Sequence, residues 1–154
     1  MALLLKNAHV IDPQVGLNET ADILIRDGKI VEVGQGLTLE KGVERDLAGK
    51  IVVPGLVDMH VHLREPGFSY KETIASGTRA AAHGGYTTVC TMPNLDPVPD
   101  CAEHLRRQTE IIARDAVVPV YPYGAITRGQ KGEQLADMAS MCPDAVAFSD
   151  DGHG

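Results

Sequence analysis

The sequence predicts an α/β chain in which a small β-rich segment precedes a series of strand–helix units. Three observations predict it. Over roughly the first fifty residues, short β-branched runs are separated by turn residues. From Ile51 onward, strand-like runs alternate with helix-like ones, as in a parallel sheet with right-handed crossovers. Finally, the chemistry-bearing residues gather where those later strands end.

In chain order, Leu3 to Ile11 reads as a strand stopped by Asp12-Pro13, and Ala21 to Ile25 as a second. Asp27-Gly28, standing between apolar runs, is a strong hairpin signal. Val43 to Leu47 completes a small antiparallel sheet. Ile51 to Val57 is then the first strand of the alternating series, apolar on both faces as a buried parallel strand is. A helix over 69–83 is expected to open on the capping box Ser69-x-x-Glu72 and to end at Gly84-Gly85. Tyr86 to Met92 is the second strand, and Asp100 to Ala113 a helix opened by Asp100-x-x-Glu103. Val117 to Tyr123 is the third strand, Gly132 to Met141 a third helix, and Ala145 to Phe148 the fourth strand, running into Ser149-Asp150-Asp151-Gly152.

Four strand–helix steps are half of an eight-stranded barrel, which takes about 250 residues. The chain is therefore either a smaller open α/β domain or the first part of a longer protein, and the motifs favour the second. The expected division is 1–52, the beginning of a β-sandwich subdomain, and 53–154, the first four units of an incomplete (β/α)8 barrel. Half a barrel should leave its first and fourth strands as open apolar edges, where chains associate.

Composition narrows the function. At 154 residues the chain can bury a real core, and 44% hydrophobic with 23% charged residues is ordinary for a globular protein. A formal charge of -7 with only 4% aromatic residues argues against a nucleic-acid partner. No run approaches eighteen apolar residues and no secretory leader is apparent, so no membrane partner and a cytoplasmic location are expected. Cys90, Cys101 and Cys142 are odd in number and lack a Cys-x-x-Cys spacing, which suits reduced thiols. A small acidic substrate remains compatible with the charge, because a local arginine and a cation outweigh a diffuse negative field.

His60 and His62 stand two apart at the end of a strand-like run. In a strand, alternate side chains share a face, roughly 6.7 Å apart along the chain, and two such imidazoles can lean onto one metal ion. Taken alone the pair is a weak signal, since close histidines also arise by chance. Its place at a strand's carboxyl end strengthens it, for that is where barrel active sites lie. Arg64 follows on the same parity; it is either a solvated loop residue or a bidentate clamp for a carboxylate. Asn94 either shapes a turn or donates to a carboxylate or ring carbonyl from the same rim. Asp150 and Asp151 either make a turn beside Gly152 or supply the anionic ligand that neutral histidines require.

The string Asp58-Met59-His60-Val61-His62-Leu63-Arg64-Glu65-Pro66-Gly67 resembles the first metal-binding strand of dihydroorotases, in the amidohydrolase superfamily. Thr91-Met92-Pro93-Asn94 resembles their second-strand motif, Phe148-Ser149-Asp150-Asp151-Gly152 their fourth, and Ile51 to Asp58 the superfamily's entry into the barrel. The resemblance runs over essentially the whole chain. It implies reversible cyclisation of N-carbamoyl-L-aspartate to (S)-dihydroorotate in pyrimidine synthesis, with one or two Zn(2+) ions per site. His60, His62 and Asp151 would be metal ligands, Asp151 rather than Asp150 because its distance from the histidine pair suits the family. His62, Arg64 and Asn94 would bind substrate. The family's general acid/base, an aspartate of the last barrel strand, and two further histidine ligands would lie beyond residue 154. A homo-oligomer, and aspartate transcarbamoylase, are the protein partners the resemblance implies. Two alternatives accompany it: an allantoinase or hydantoinase, whose substrates lack the orotate-type carboxylate, and a non-catalytic homologue that scaffolds aspartate transcarbamoylase.

Overall fold

The computed structural model describes residues 1–153. It divides into two compact units, Met1–Pro54 and Gly55–Gly154.

The first unit is a five-stranded sheet. β1 (Ala2–Asp12) pairs antiparallel with β2 (Leu17–Arg26), which pairs antiparallel with β3 (Lys29–Gly34). β4 (Val43–Asp46) and β5 (Ile51–Val52) run parallel to β1 along its other side, so the sheet is mixed and not the antiparallel one expected. The hairpin turn is the Asp27-Gly28 pair, both residues left-handed at φ 50 and 77, as a tight turn between twisted strands requires. Ala8, Val10, Ala21 and Ile23 form the core. β1 carries a bulge between Leu5 and Ala8, with Asn7 at φ 58. The Asn7 N–H so released donates to the buried Asp22 carboxylate at 2.9 Å, and Leu37 N–H donates to its other oxygen at 3.0 Å.

The second unit is a parallel sheet of β6 (Leu56–Val61), β7 (Tyr86–Thr91), β8 (Val120–Gly124) and β9 (Ala147–Phe148), in that order. α1 (Ile74–His83) and α2 (Ala102–Asp115) are the first two crossovers, and the short α3 (Met138–Met141) precedes β9. Leu63, Ile74, Val89 and Val120 form one cluster of its core, and Leu105, Ala136 and Met141 another. Cys90 is buried in β7 and burial pushes its thiol pKa up; none of the three cysteines is in a disulfide. No helix among the described residues is long and apolar enough to cross a membrane.

Several elements differ from expectation for identifiable reasons. The run Ile51 to Val57 is two strands: Ile51–Val52 pairs with β1, and Leu56–Val61 opens the second sheet. Pro54, with no N–H to donate, separates them. β6 is apolar but not buried, with Val57 58% and Met59 69% exposed, because it is an edge of its sheet, as β9 is at the other end. The first helix starts at Ile74, capped by Thr73 in a capping box with Ser76. Ser69 and Tyr70 offer no face to the core, whereas Ile74 is fully buried. Asp100 does not cap α2; its carboxylate accepts from Gly129 N–H at 2.9 Å and contacts His104 Nδ1 at 2.8 Å. The third strand begins at Val120, since Pro119 cannot donate and Val117 N–H goes to Thr78 Oγ1 at 3.2 Å. The third helix shrinks to four residues, because Gly132 is left-handed at φ 72 and only Asp137 caps a helical start.

Candidate metal centre and its cleft

The centre is built at the carboxyl end of β6. Register against β7 slips by one residue between Asp58 and Val61, so β6 carries a bulge where His60 stands. Bulges bend a strand and re-aim its side chains, often beside active sites. The His60 N–H released from the ladder donates to Asp58 Oδ1 at 3.0 Å. Asp58 thereby stabilises the irregular backbone that presents the two imidazoles. Their ring centroids lie 5.4 Å apart, with planes at 68°.

The next residues fasten the rim. Leu63 is buried, and its N–H donates to Thr91 Oγ1 at 3.3 Å. Arg64 takes a left-handed φ of 25. Glu65, which looks like a turn residue in sequence, accepts the first N–H of α1, from Ile74, at 2.8 Å. Gly67 lies at φ 99 against Asp96; a Cβ there would come within 2.5 Å of the Asp96 carbonyl oxygen, so no larger residue fits.

Asp151 arrives from the loop after β9. Its Oδ1 lies 3.4 Å from His60 Nε2 and its Oδ2 3.6 Å from His62 Nε2. The three donor atoms lie within 4.8 Å of one another. Both separations exceed the roughly 2.7–3.2 Å of an N–H···O hydrogen bond. Two ligands each about 2.1 Å from one ion at the tetrahedral angle stand about 3.4 Å apart. Two imidazoles and a carboxylate at this spacing therefore fit a divalent cation better than they fit each other. Burial is the main cause that holds the His62 pKa down, aided by Arg64 and His60 and opposed by Asp151 and Asn94. The imidazole is thus kept in the neutral form that a metal requires.

The adjacent Asp150 is engaged elsewhere. Its Oδ1 accepts from Ile126 N–H at 2.9 Å and Thr127 N–H at 3.1 Å, and its Oδ2 from the Thr127 hydroxyl at 2.5 Å. The neighbouring carboxylates thus divide: Asp150 ties down the loop after β8, and Asp151 faces the histidines. Asn94, from the loop after β7, donates through Nδ2 to the Asp151 carbonyl at 2.6 Å, leaving its second amide hydrogen for a ligand.

His62, Arg64, Asn94 and Asp151 line one cleft of about 540 Å3, together with Lys71 and Gln130. No carboxylate pairs with Arg64 or Lys71 among the described residues. The Lys71 ammonium sits instead 5.1 Å from the Phe68 ring centre and 5.6 Å from that of Tyr70. The cleft thus offers two cations beside the candidate metal centre, a setting suited to an anionic small molecule. All the site residues expected from sequence meet here. Asp58, Glu65, Lys71 and Gln130 were not anticipated as site residues, and Asp150, the alternative to Asp151 as ligand, holds the loop after β8 instead. For Asp58 a faint signal existed, an Asx residue two before a β-bulge donor; for the others only the fold supplies the partner.

The dihydro-orotase-like family model matches residues 49–154, the stretch that contains every one of these side chains. The chain belongs to the dihydro-orotase-like family. A dihydroorotase of Ligilactobacillus salivarius (strain UCC118) is 52% identical over 158 residues, covering 100% of this chain and 36% of that protein. The chain therefore spans about a third of the length of the curated relatives it matches, and corresponds to the N-terminal portion of a dihydroorotase. The solved structure of an L-hydantoinase (dihydropyrimidinase) from Arthrobacter aurescens matches with a TM-score of 0.82 at 27% identity, over 95% of this chain and 32% of that one. A dihydroorotase crystal structure matches with a TM-score of 0.65 at 19% identity, over 96% of this chain and 41% of that one, which speaks for the fold alone. The fold is the first half of an amidohydrolase barrel preceded by a β-rich part.

Proposed function

We propose that the protein to which this chain belongs is a zinc-dependent dihydroorotase that interconverts N-carbamoyl-L-aspartate and (S)-dihydroorotate in pyrimidine biosynthesis. The observation that carries the reading is the convergence of His60, His62 and Asp151 on one point beside Arg64, in a chain 52% identical to a dihydroorotase. His60, His62 and Asp151 would hold the metal, one ion or two. Bound there, it supplies Lewis acidity toward the amide carbonyl and makes a water acidic enough to react near neutral pH.

The remaining work falls to the chain itself. The Asp151 carboxylate offers one oxygen to each imidazole and offsets cationic charge between them. Arg64 holds the substrate carboxylate through its planar fork of donors, and the second Asn94 N–H adds a neutral donor from the next strand. Asp150 keeps the β8 loop in place beside them. His62 would lie close to the reacting carbonyl while Arg64 and Asn94, which line the same cleft, would hold the substrate carboxylate, so that the bound substrate is oriented for ring closure or opening. A cytoplasmic homo-oligomer, with aspartate transcarbamoylase as a candidate partner, completes the proposal.

Chelation tests it. The full-length protein treated with a strong chelator should lose turnover of dihydroorotate and regain it with Zn(2+); turnover indifferent to chelation counts against the proposal. The L-hydantoinase structural match favours a second reading, a hydantoinase-type cyclic amidohydrolase. The carboxylate is the discriminating group: turnover of a 5-substituted hydantoin exceeding that of dihydroorotate would favour the second reading.

A further inference from the structure

We propose that Gln130 is a substrate-reading residue of the cleft, its side-chain amide donating to an oxygen of the bound substrate. The inference rests on the dihydroorotase reading and adds a residue to it. Among the described residues, five side-chain polar atoms are buried without a partner. Three belong to His62, Asn94 and Gln130, and all three residues line the same cleft. The other two belong to Gln108, fully buried on α2. A buried amide donor without an acceptor is costly, and such groups are rare in native structures unless a ligand or water completes them.

The backbone of Gln130 points the same way. It lies at φ 54, a region that side-chain-bearing residues seldom occupy and that clusters at ligand clamps. Gly129 before it lies at φ 60. The surrounding chain holds this conformation through several bonds. Gly129 N–H donates to Asp100 Oδ2 at 2.9 Å, Gly132 N–H to Thr127 Oγ1 at 3.0 Å, and Arg128 N–H to the Gln134 carbonyl at 2.8 Å. The Thr127 hydroxyl in turn donates to Asp150, the chain neighbour of the metal-facing Asp151. The loop carrying Gln130 is thus registered against the metal centre. With only 5% of its surface exposed, Gln130 is held against the wall of the cleft.

The chemistry is complementary to the proposed substrate. Arg64 and Lys71 supply charge, which attracts any anion; a fixed neutral donor adds directional selection of a carbonyl or carboxylate oxygen. Gln130 contributes no proton transfer and no metal contact, so its effect belongs to binding.

The test uses the full-length protein with three substitutions, Gln130→Met, Gln130→Glu and Gln130→Gly, each read by KM and kcat for N-carbamoyl-L-aspartate and by melting temperature. Gln130→Met keeps the volume and removes the donor; it should raise KM about tenfold with kcat nearly unchanged. Gln130→Glu should raise KM further, since a carboxylate repels the anion. Gln130→Gly relieves the left-handed backbone, so it should hold or raise the melting temperature while raising KM as Met does. Parental KM in both the Met and Gly variants overturns the proposal. So does a KM rise that in every variant accompanies a fallen melting temperature, which marks a structural role. A parent protein that turns over neither N-carbamoyl-L-aspartate nor dihydroorotate overturns the dihydroorotase reading itself, and this inference with it.

Discussion

Asp22 in the first unit and the polar residues around the cleft of the second satisfy their buried atoms to opposite degrees. In the first, Asp22 is 4% exposed and fully engaged: it accepts from Asn7 and Leu37, and Lys6 Nζ stands 3.5 Å away. In the second, His62, Asn94 and Gln130 each leave a buried polar atom unpartnered around one cleft. A satisfied buried carboxylate fixes a bulge and a loop. Unsatisfied atoms grouped at strand tips cost stability unless something binds them. What distinguishes the second group is not the unpartnered atom alone, which Gln108 also has, but its place on the lining of one cleft.

Substitutions should separate the two groups in the same way. The largest effect is expected at the metal centre. Asp151→Asn or His60→Ala in the full-length protein should lower kcat/KM on the order of a thousandfold or more, with metal content falling and the unfolding midpoint little changed. Retained metal and turnover would erase the distinction on the cleft side. Arg64→Met comes next, with a loss of about a hundredfold in kcat/KM for N-carbamoyl-L-aspartate. A hydantoinase would lose little, so the two readings part at this residue.

In the first unit the effect should appear in stability alone. Asp22→Ala strands two N–H groups and should cost about 2 kcal/mol in urea unfolding, with KM unchanged. A shifted KM would show that the two kinds of buried group are not independent. The smallest effect is a pH dependence. The Asp22 pKa is lowered, chiefly by the Asn7 N–H and further by Leu37 and Lys6, against the opposing effect of burial. A carboxylate whose folded pKa lies below its unfolded value stabilises the fold above the ordinary aspartate range, near pH 4. That contribution disappears as pH falls through the lowered folded value. Between pH 5 and pH 3 the parent should therefore lose more stability than Asp22→Ala does, measured by denaturant midpoint.

Much of the architecture was legible beforehand because its signals are local. Asp27-Gly28 specifies a hairpin through the conformations those residues tolerate, and the alternation after Ile51 specifies a parallel sheet through burial periodicity. Boundaries failed where a distant partner decided them. Asp100 resembles a helix cap in sequence, yet its carboxylate binds Gly129 across the fold. Ser69-x-x-Glu72 is a valid capping pattern, but Thr73 and Glu65 cap the helix once Ile74 is buried. The apolar run from Ile51 reads as one strand, and Pro54 divides it between two sheets.

The residues of the candidate centre were nameable from the chain because a metal site needs particular donor types at short spacing, and His60-x-His62 carries that requirement within three residues. The resemblance favours Asp151 over Asp150, but the physical reason that one of the two adjacent aspartates faces the imidazoles lies in the fold. Asp150 and Asp151 are chemically identical, and it is the Ile126 and Thr127 N–H groups with the Thr127 hydroxyl, more than twenty residues back in the chain, that draw one of them aside. The same holds for Gln130: no local pattern marks an amide as unpartnered, because a missing partner is a property of the packed surroundings and not of the sequence near it.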